Sequence, residues 1–418
     1  MKSSPQLEQY KDLVGENTLA SIYRAASELS GVQVLHVNTT AEGGGVAELL
    51  RSLLPLMEEL GIAHSWKVIP LDEEENKLAA RLADLLQGIE HGSIPEVDQR
   101  VFLETLRRTP QLQQAEQNQA DLYFIHDFQL APLARLFPWM RPALWMCHVD
   151  TAHPDPGGLA YITQFLDAYA VCVFDTRASI FKDLPAEQAQ VVTPTIDPFS
   201  EKNRFITQAQ GLQMLANVGI DTTRPLITQV SRFSDWKNPE QVIEVYRRVK
   251  QDLPSVQVAL VGAMEAADDI KAVEVLQAIE EQAGADSDIH LLSDPAVITH
   301  PIVNAFQRYS SVIVQRSIRE GFGLTVTEAM WKSQPVVGTS VTGLRAQIID
   351  GQNGYIADST QACAQRTLKL LQDRELWRKL GQEAHEHVRK QHLFPTMVLQ
   401  YLDALSSARD RSRDRSEV

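Results

Sequence analysis

Leu226-Ile-Thr-Gln-Val-Ser-Arg232-Phe-Ser-Asp-Trp-Lys237-Asn-Pro239 reads as a short apolar strand, a polar turn with two cations, and a helix start. The segment Glu320-Gly-Phe-Gly-Leu-Thr-Val-Thr-Glu328 repeats that plan after the run Ser311–Gln315. Strands that pass through tight turns into helices build parallel sheets, and such sheets bind ligands at the carboxyl ends of their strands. Both segments therefore predict a doubly wound α/β domain with functional side chains on one edge.

The same alternation extends outward in both directions. A first series of runs, Gln33–Asn38, Ser65–Ile69, Asp121–His126, Ala143–His148 and Ala170–Phe174, alternates with stretches of helical period such as Gly45–Leu60. Residues 71–110 are charged and helical in period. A second series holds Leu226–Val230, Gln257–Val261, Ile289–Leu292, Ser311–Gln315 and Pro335–Gly338. Between them Thr193-Pro-Thr-Ile-Asp-Pro198-Phe-Ser forbids a regular helix and marks a stiff connector.

The expected organisation is an N-terminal domain over 1–200 and a C-terminal domain over 201–395. The amphipathic stretch 396–406 is expected to pack back on the first domain, and the charged segment 407–418 to be a disordered tail. A length of 418 residues fits two domains, because one core stops growing near ~250–300 residues. Two open sheets facing each other would place a ligand in the crevice between them.

Composition narrows the function. The formal net charge of −15 argues against an extended nucleic-acid or anionic-membrane surface. Cys147, Cys172 and Cys363 are widely spaced and show neither a disulfide framework nor metal spacing, which fits a reducing cytoplasm. No leader and no apolar run of about 18 residues is visible, so neither secretion nor membrane spanning is expected.

Several residues stand where chemistry would need them. Arg232 and Lys237 supply fixed positive charge at a strand end, and Gly321 and Gly323 let backbone N–H groups approach an anion where a helix begins. Glu320 and Glu328 can accept from hydroxyl groups at opposite ends of one ligand. A solvated basic pair and ordinary helix-start carboxylates are the bland alternatives. The compact Gly321-Phe322-Gly323 loop argues against them, since surface capping needs no such turn. Cation and carboxylate together point to a sugar nucleotide.

In the first series, Asn38-Thr-Thr-Ala-Glu42-Gly43-Gly44-Gly45 opens a helix through three glycines, without the spacing of a dinucleotide fingerprint. His126-Asp127 and His148-Val-Asp150 follow two further strands. These side chains can orient hydroxyls, or they can be hydrogen-bonded caps. Zinc fits poorly, because Cys147 and His148 should point to opposite faces of a strand.

On these residues the chain resembles the large retaining glycosyltransferase family with the GT-B fold. The carriers are Arg232 with Lys237 and the Glu320-x7-Glu328 element. Five further segments resemble the trehalose synthases and trehalose phosphorylases of that family. They are His36-Val-Asn38-Thr, Glu42–Leu50, His126-Asp127, Trp145-Met-Cys-His148-Val-Asp150 and Thr195–Asn203.

The resemblance implies two Rossmann-like domains facing across a cleft, an acceptor domain and a nucleotide-sugar donor domain. It implies that Arg232 and Lys237 grip the donor diphosphate and that Glu328 accepts from the ribose hydroxyls. Glu320 and His148 are implied to contact the transferred glucose, near the backbone of Phe322, Gly323, Leu324 and Thr325. Gly44 is implied on the donor side, and Asn38, Glu42, Gly43, His126, Asp127 and Asp150 on the acceptor side.

The implied reaction moves glucose from a nucleoside diphosphate glucose to glucose, with the α configuration retained and with no metal or other cofactor required. The partners are then a nucleoside diphosphate sugar and a sugar acceptor. Trehalose phosphorolysis, a related transferase with another acceptor, and a non-catalytic sugar-nucleotide sensor are the alternatives. The base of the donor, adenosine or uridine diphosphate glucose for example, and pairing into a homodimer are left open.

Overall fold

The structure, a computed structural model, describes residues 5–42, 45–116, 119–262 and 270–416. Backbone contacts divide the chain into two compact units, one formed by Met1–Thr193 with Pro395–Val418 and the other by Pro194–Phe394.

The first unit is built on six parallel strands. They are β1 (Gln33–Asn38), β2 (Ala63–Val68), β3 (Leu122–His126), β4 (Ala143–Cys147), β5 (Val171–Phe174) and β6 (Ala189–Val191), in the order β2-β1-β3-β4-β5-β6. Every residue of β3, β4 and β5 is buried, as expected of a parallel sheet covered on both faces. Leu35, Val37, Tyr123, Ile125, Trp145 and Phe174 pack into the core on one face. The intervening residues His36, Phe124 and His126 point the other way.

The second unit has the strands β7 (Leu226–Val230), β8 (Gln257–Val261), β9 (Ile289–Leu292), β10 (Val312–Gln315), β11 (Val336–Gly338) and β12 (Gly354–Ile356). Their order is β12-β11-β10-β7-β8-β9, again all parallel. Counted within the unit this is 3-2-1-4-5-6 read from the other edge, the Rossmann order, which reverses between β7 and β10. In the first unit the corresponding reversal falls between β1 and β3. The segments singled out from sequence follow these four strands, with His148 and Asp150 following β4.

The expected α/β fold of two Rossmann-like units is observed, with two additions. The edge strands β6 and β12 have three residues each, too few to show a period in sequence. At the connector, Ile196 N–H donates to the His392 carbonyl at 3.0 Å, and Phe394 N–H donates to the Ile196 carbonyl at 3.1 Å. Outgoing and returning chains are thus paired side by side.

The tail expected from Ser407 onward is a correction. One helix runs from Phe394 to Ser416. Ala408 is fully buried, the Arg409 guanidinium donates to the Glu28 carbonyl, and Arg411 donates to the Ala170 carbonyl at 2.7 Å. Charged side chains whose tips reach backbone acceptors of their own unit extend the helix where composition alone suggested disorder. Among the described residues no helix is long and apolar enough to cross a membrane.

Candidate active site

In the second unit the loops after β7 and β10 are fastened to each other. Ile318 N–H donates to the Trp236 carbonyl at 2.8 Å, and Gln229 Nε2 in β7 donates to the Lys237 carbonyl at 2.7 Å. Asn238 takes the left-handed conformation at φ 50° and hands the chain to a helix beginning at Pro239. This fixes the Lys237 side chain against Glu320, and Lys237 Nζ pairs with Glu320 Oε2. The same oxygen accepts from Ser317 Oγ at 3.0 Å, and Ser317 Oγ accepts from Gln315 Nε2 at 2.9 Å. One carboxylate oxygen is therefore anchored twice, which aims the other.

The turn behind Glu320 is closely packed. Gly323 sits at φ 87°, a conformation that favours glycine, and caps the helix Leu324–Trp331. Gly343 N–H donates to the Glu320 carbonyl at 2.9 Å, and a Cβ at Gly343 would lie 2.5 Å from Phe322 Cα. Gln347 Nε2 donates to the Phe322 and Gly343 carbonyls. Phe322 is buried, with its ring 5.4 Å from that of His392, so it offers backbone and not side chain. Leu324 is exposed and Thr325 half-buried. Arg232 is exposed and has no ion pair among the described residues.

Glu328 lies one turn into the helix Leu324–Trp331 and is 4% exposed. Its Oε1 is 3.2 Å from Lys202 Nζ and its Oε2 accepts from Gln307 Nε2 at 2.7 Å. Lys202, Gln307, Ser317 and Gly343 had no role in the sequence reading. Only Lys202 left a signal there, inside the Thr195–Asn203 segment.

In the first unit, β1, β3 and β4 place three histidines in a row. His36 Nδ1 is 3.3 Å from His126 Nε2, and His126 Nδ1 is 3.4 Å from His148 Nε2. His148 Nδ1 is 3.7 Å from Asp175 Oδ1. The rings stack, and Tyr401 from the returning helix joins them, its hydroxyl 3.4 Å from His126 Nε2. A proton on Nδ1 of His36 and of His126 gives each of the two contacts between rings one donor and one acceptor. Both ring nitrogens of His148 therefore face protein groups.

Burial, helped by the charge of His64, pushes His36 down to about 3. Burial, with His36 and His148 adding, pushes His126 well below the usual imidazole range. Burial works against the His148 imidazolium too, but the nearby Asp175 carboxylate, with the charge of Asp127, outweighs it and raises this group. Burial, with Asp175 adding, also raises Asp127.

Asp127 stands at φ 72° and ψ 156°, a region otherwise left to glycine. Two hydrogen bonds hold it there, from its N–H to the Met146 carbonyl at 2.8 Å and from Trp145 Nε1 to its carbonyl at 2.9 Å. Asn38 is buried and spends its side chain on Trp66 and on the Thr40 carbonyl. These bonds shape the turn that follows β1. Asp150 caps its own turn by accepting from Ala152 N–H at 3.0 Å. Glu42 is exposed. Gly43 and Gly44 lie outside the described residues. Asp175 was not singled out from sequence, although it follows the predicted strand Ala170–Phe174 directly.

Among the described residues no group of three His, Cys, Asp or Glu is placed to hold a metal ion. The geometry supplies cations and backbone N–H groups for an anion, and carboxylates for hydroxyls. Two Rossmann-like units, each with polar side chains at its switch point, are the plan of the GT-B fold.

Residues 36–181 match the family described as the N-terminal domain of trehalose synthase, and residues 213–387 match the glycosyl transferases group 1 family. The trehalose synthase of Thermococcus litoralis is 37% identical over 402 residues, 96% of this chain and 97% of that one. The chain belongs to the trehalose synthase family. The trehalose phosphorylase of Grifola frondosa is 23% identical over 91% of this chain, which spans only 58% of its length. In fold, the chain is similar to a UDP-forming α,α-trehalose-phosphate synthase from Burkholderia vietnamiensis, with a TM-score of 0.69 over 90% of this chain and 99% of that chain at 15% identity.

Proposed function

We propose that this enzyme transfers glucose from a nucleoside diphosphate glucose to the anomeric hydroxyl of free glucose, forming trehalose with the α configuration retained. Kinship with a trehalose synthase over nearly the whole of both chains supports the choice of product. The observation that carries the reading is the junction of Lys237 with Glu320 at the β7/β10 switch point, a cation and a hydroxyl acceptor on adjoining loops.

As the glycosidic bond breaks, negative charge grows on the departing diphosphate. Lys237, Arg232 and the N–H groups opening the helix at Leu324 stabilise it, and fixed donors of this kind are worth about 2.7–4 kcal/mol each. Glu320, anchored through Oε2 by Lys237 and Ser317, uses its other oxygen to accept from glucose hydroxyls. It is a binding group and not a nucleophile. Same-face substitution follows, with the departing phosphate taking the proton of the incoming hydroxyl. No metal or other cofactor enters this reading.

Glu328 accepts from the ribose of the donor. Asp127, Asp150 and Glu42 belong to the acceptor side, with His126 and His148 as the row that fixes that surface. The enzyme works in the cytoplasm on free sugars.

The test is a product assay. Adenosine, uridine and guanosine diphosphate glucoses are each offered with glucose, and the disaccharide is identified by mass and anomeric configuration. α,α-Trehalose is expected. In the reverse direction trehalose is supplied with either phosphate or a nucleoside diphosphate, and glucose 1-phosphate arising only with phosphate would overturn the reading in favour of phosphorolysis.

A further inference from the structure

Lys332 is 5% exposed and lies one helical turn beyond Glu328. Its Nζ donates to Asn203 Oδ1 at 2.8 Å, to Gln307 Oε1 at 2.9 Å and to the Glu328 carbonyl at 3.1 Å. An ammonium has three protons, and all three are used. Burial pushes this lysine down to about 7, with Glu328 opposing and the cations Arg308 and Lys202 adding.

These contacts have a directional consequence. With the Gln307 oxygen held by Lys332, the amide nitrogen of Gln307 must turn the other way, where it donates to Glu328 Oε2 at 2.7 Å. Asn203 is fixed in the same sense, because its Nδ2 donates to the Asp197 carbonyl at 3.0 Å and to Ser200 Oγ at 3.2 Å. Lys202 takes the second oxygen of Glu328. Each carboxylate oxygen can accept more than one hydrogen bond. Glu328 is left with one spare acceptor site on each oxygen, side by side.

We propose that Lys332, acting through Gln307, and Lys202, acting directly, are positioning residues that aim the Glu328 carboxylate at the two vicinal hydroxyls of a nucleotide ribose. Neither lysine touches the reacting bond. The inference rests on the proposed nucleotide donor. Without Lys332 the Gln307 amide loses the contact that holds its oxygen and keeps only those of its nitrogen, to Glu328 Oε2 and to the Thr325 carbonyl at 3.3 Å, so the carboxylate is held less firmly on its aim.

The experiment compares binding of ADP, UDP and GDP with that of their 2′,3′-dideoxy counterparts, in wild type, Lys332→Met, Lys202→Met and Glu328→Gln. Wild type should prefer the ribose form of its nucleotide by at least about tenfold, since hydrogen bonds to a charged group are among the stronger ones. In Lys332→Met the preference should fall to within about threefold of unity, and the donor KM should rise about tenfold with little change in kcat. Adding Lys332→Met to Glu328→Gln should change the preference no further.

A merely structural lysine would weaken ribose and dideoxy forms equally. Wild-type preference retained in Lys332→Met overturns the inference alone. Should that variant not fold, Lys202→Met, whose side chain is 34% exposed, is read the same way, and an unchanged preference there overturns it. No preference in wild type overturns the nucleotide reading and the inference with it.

Discussion

Replacing Lys237 with methionine removes an ammonium and keeps most of its stem, so it separates what the charge does from what the packing does. The side chains of Lys237 and Glu320 are 16% and 10% exposed. Deleting one partner of a fully buried pair costs about 3–5 kcal/mol and of an exposed pair about 0–1. A pair that keeps a little water, and a carboxylate that keeps Ser317, falls between, at about 2 kcal/mol. For a unit of some 200 residues that lowers Tm by about 4–8 °C.

Activity should respond more strongly. If the same ammonium faces the leaving diphosphate, its loss costs about 2.7–4 kcal/mol of barrier, or roughly 10²–10³ in kcat. The double variant Lys237→Met/Glu320→Gln distinguishes the two effects. It leaves no unpaired buried charge, so Tm should return most of the way to wild type while kcat stays low. The assays are thermal unfolding and glucose transfer at saturating donor. A single variant whose kcat lies within tenfold of wild type refutes the catalytic role, and an unchanged Tm refutes the burial argument.

Three other outcomes follow from the geometry. Asp127→Gly should raise Tm, because strain at such a φ/ψ costs of order 1–3 kcal/mol, and should lower kcat/KM for the acceptor; a lower Tm would show that the side chain stabilises more than its backbone costs. Gly343→Ala drives a Cβ into the Phe322 backbone, where overpacking costs about 1–3 kcal/mol, and should cut turnover by shifting Glu320; a variant with wild-type kinetics would refute the tight turn. His36 is neutral in the fold with its pKa at about 3, so below the unfolded value of about 6.5 the unfolded chain binds a proton that the folded chain does not. Stability is lost as pH falls through that value, by about 2 kcal/mol at pH 5. His36→Leu should therefore show a shallower fall of Tm between pH 7 and 5 than wild type, and an equal slope would refute the assignment.

The alternation of short apolar runs with helical periods made the two sheets legible, because strands buried on both faces need near-continuous apolar sequence. Residues near strand ends were legible for a related reason. Polar side chains such as His126, Arg232 and Glu320 interrupt apolar runs where the chain leaves the sheet. The edge strands β6 and β12 were not, being too short to carry a pattern. Nor was the helix from Ser407 to Ser416, whose order comes from the carbonyls of Glu28 and Ala170, far away in the chain.

What the chain determined by itself was the class of fold and the kinds of group offered to a ligand, since periodicity, glycine turns and charge are local properties. Only the folded chain decided their pairing. Lys237 reaches Glu320 because the sheet order sets β7 beside β10, and Glu328 is aimed by Lys202, Gln307 and Lys332 through side-chain bonds spanning up to 129 positions. Likewise, the three histidines form a row because β1, β3 and β4 are neighbours. Hydrogen bonds and ion pairs act over a few ångströms of space, and sequence fixes distance along the chain but not distance across it.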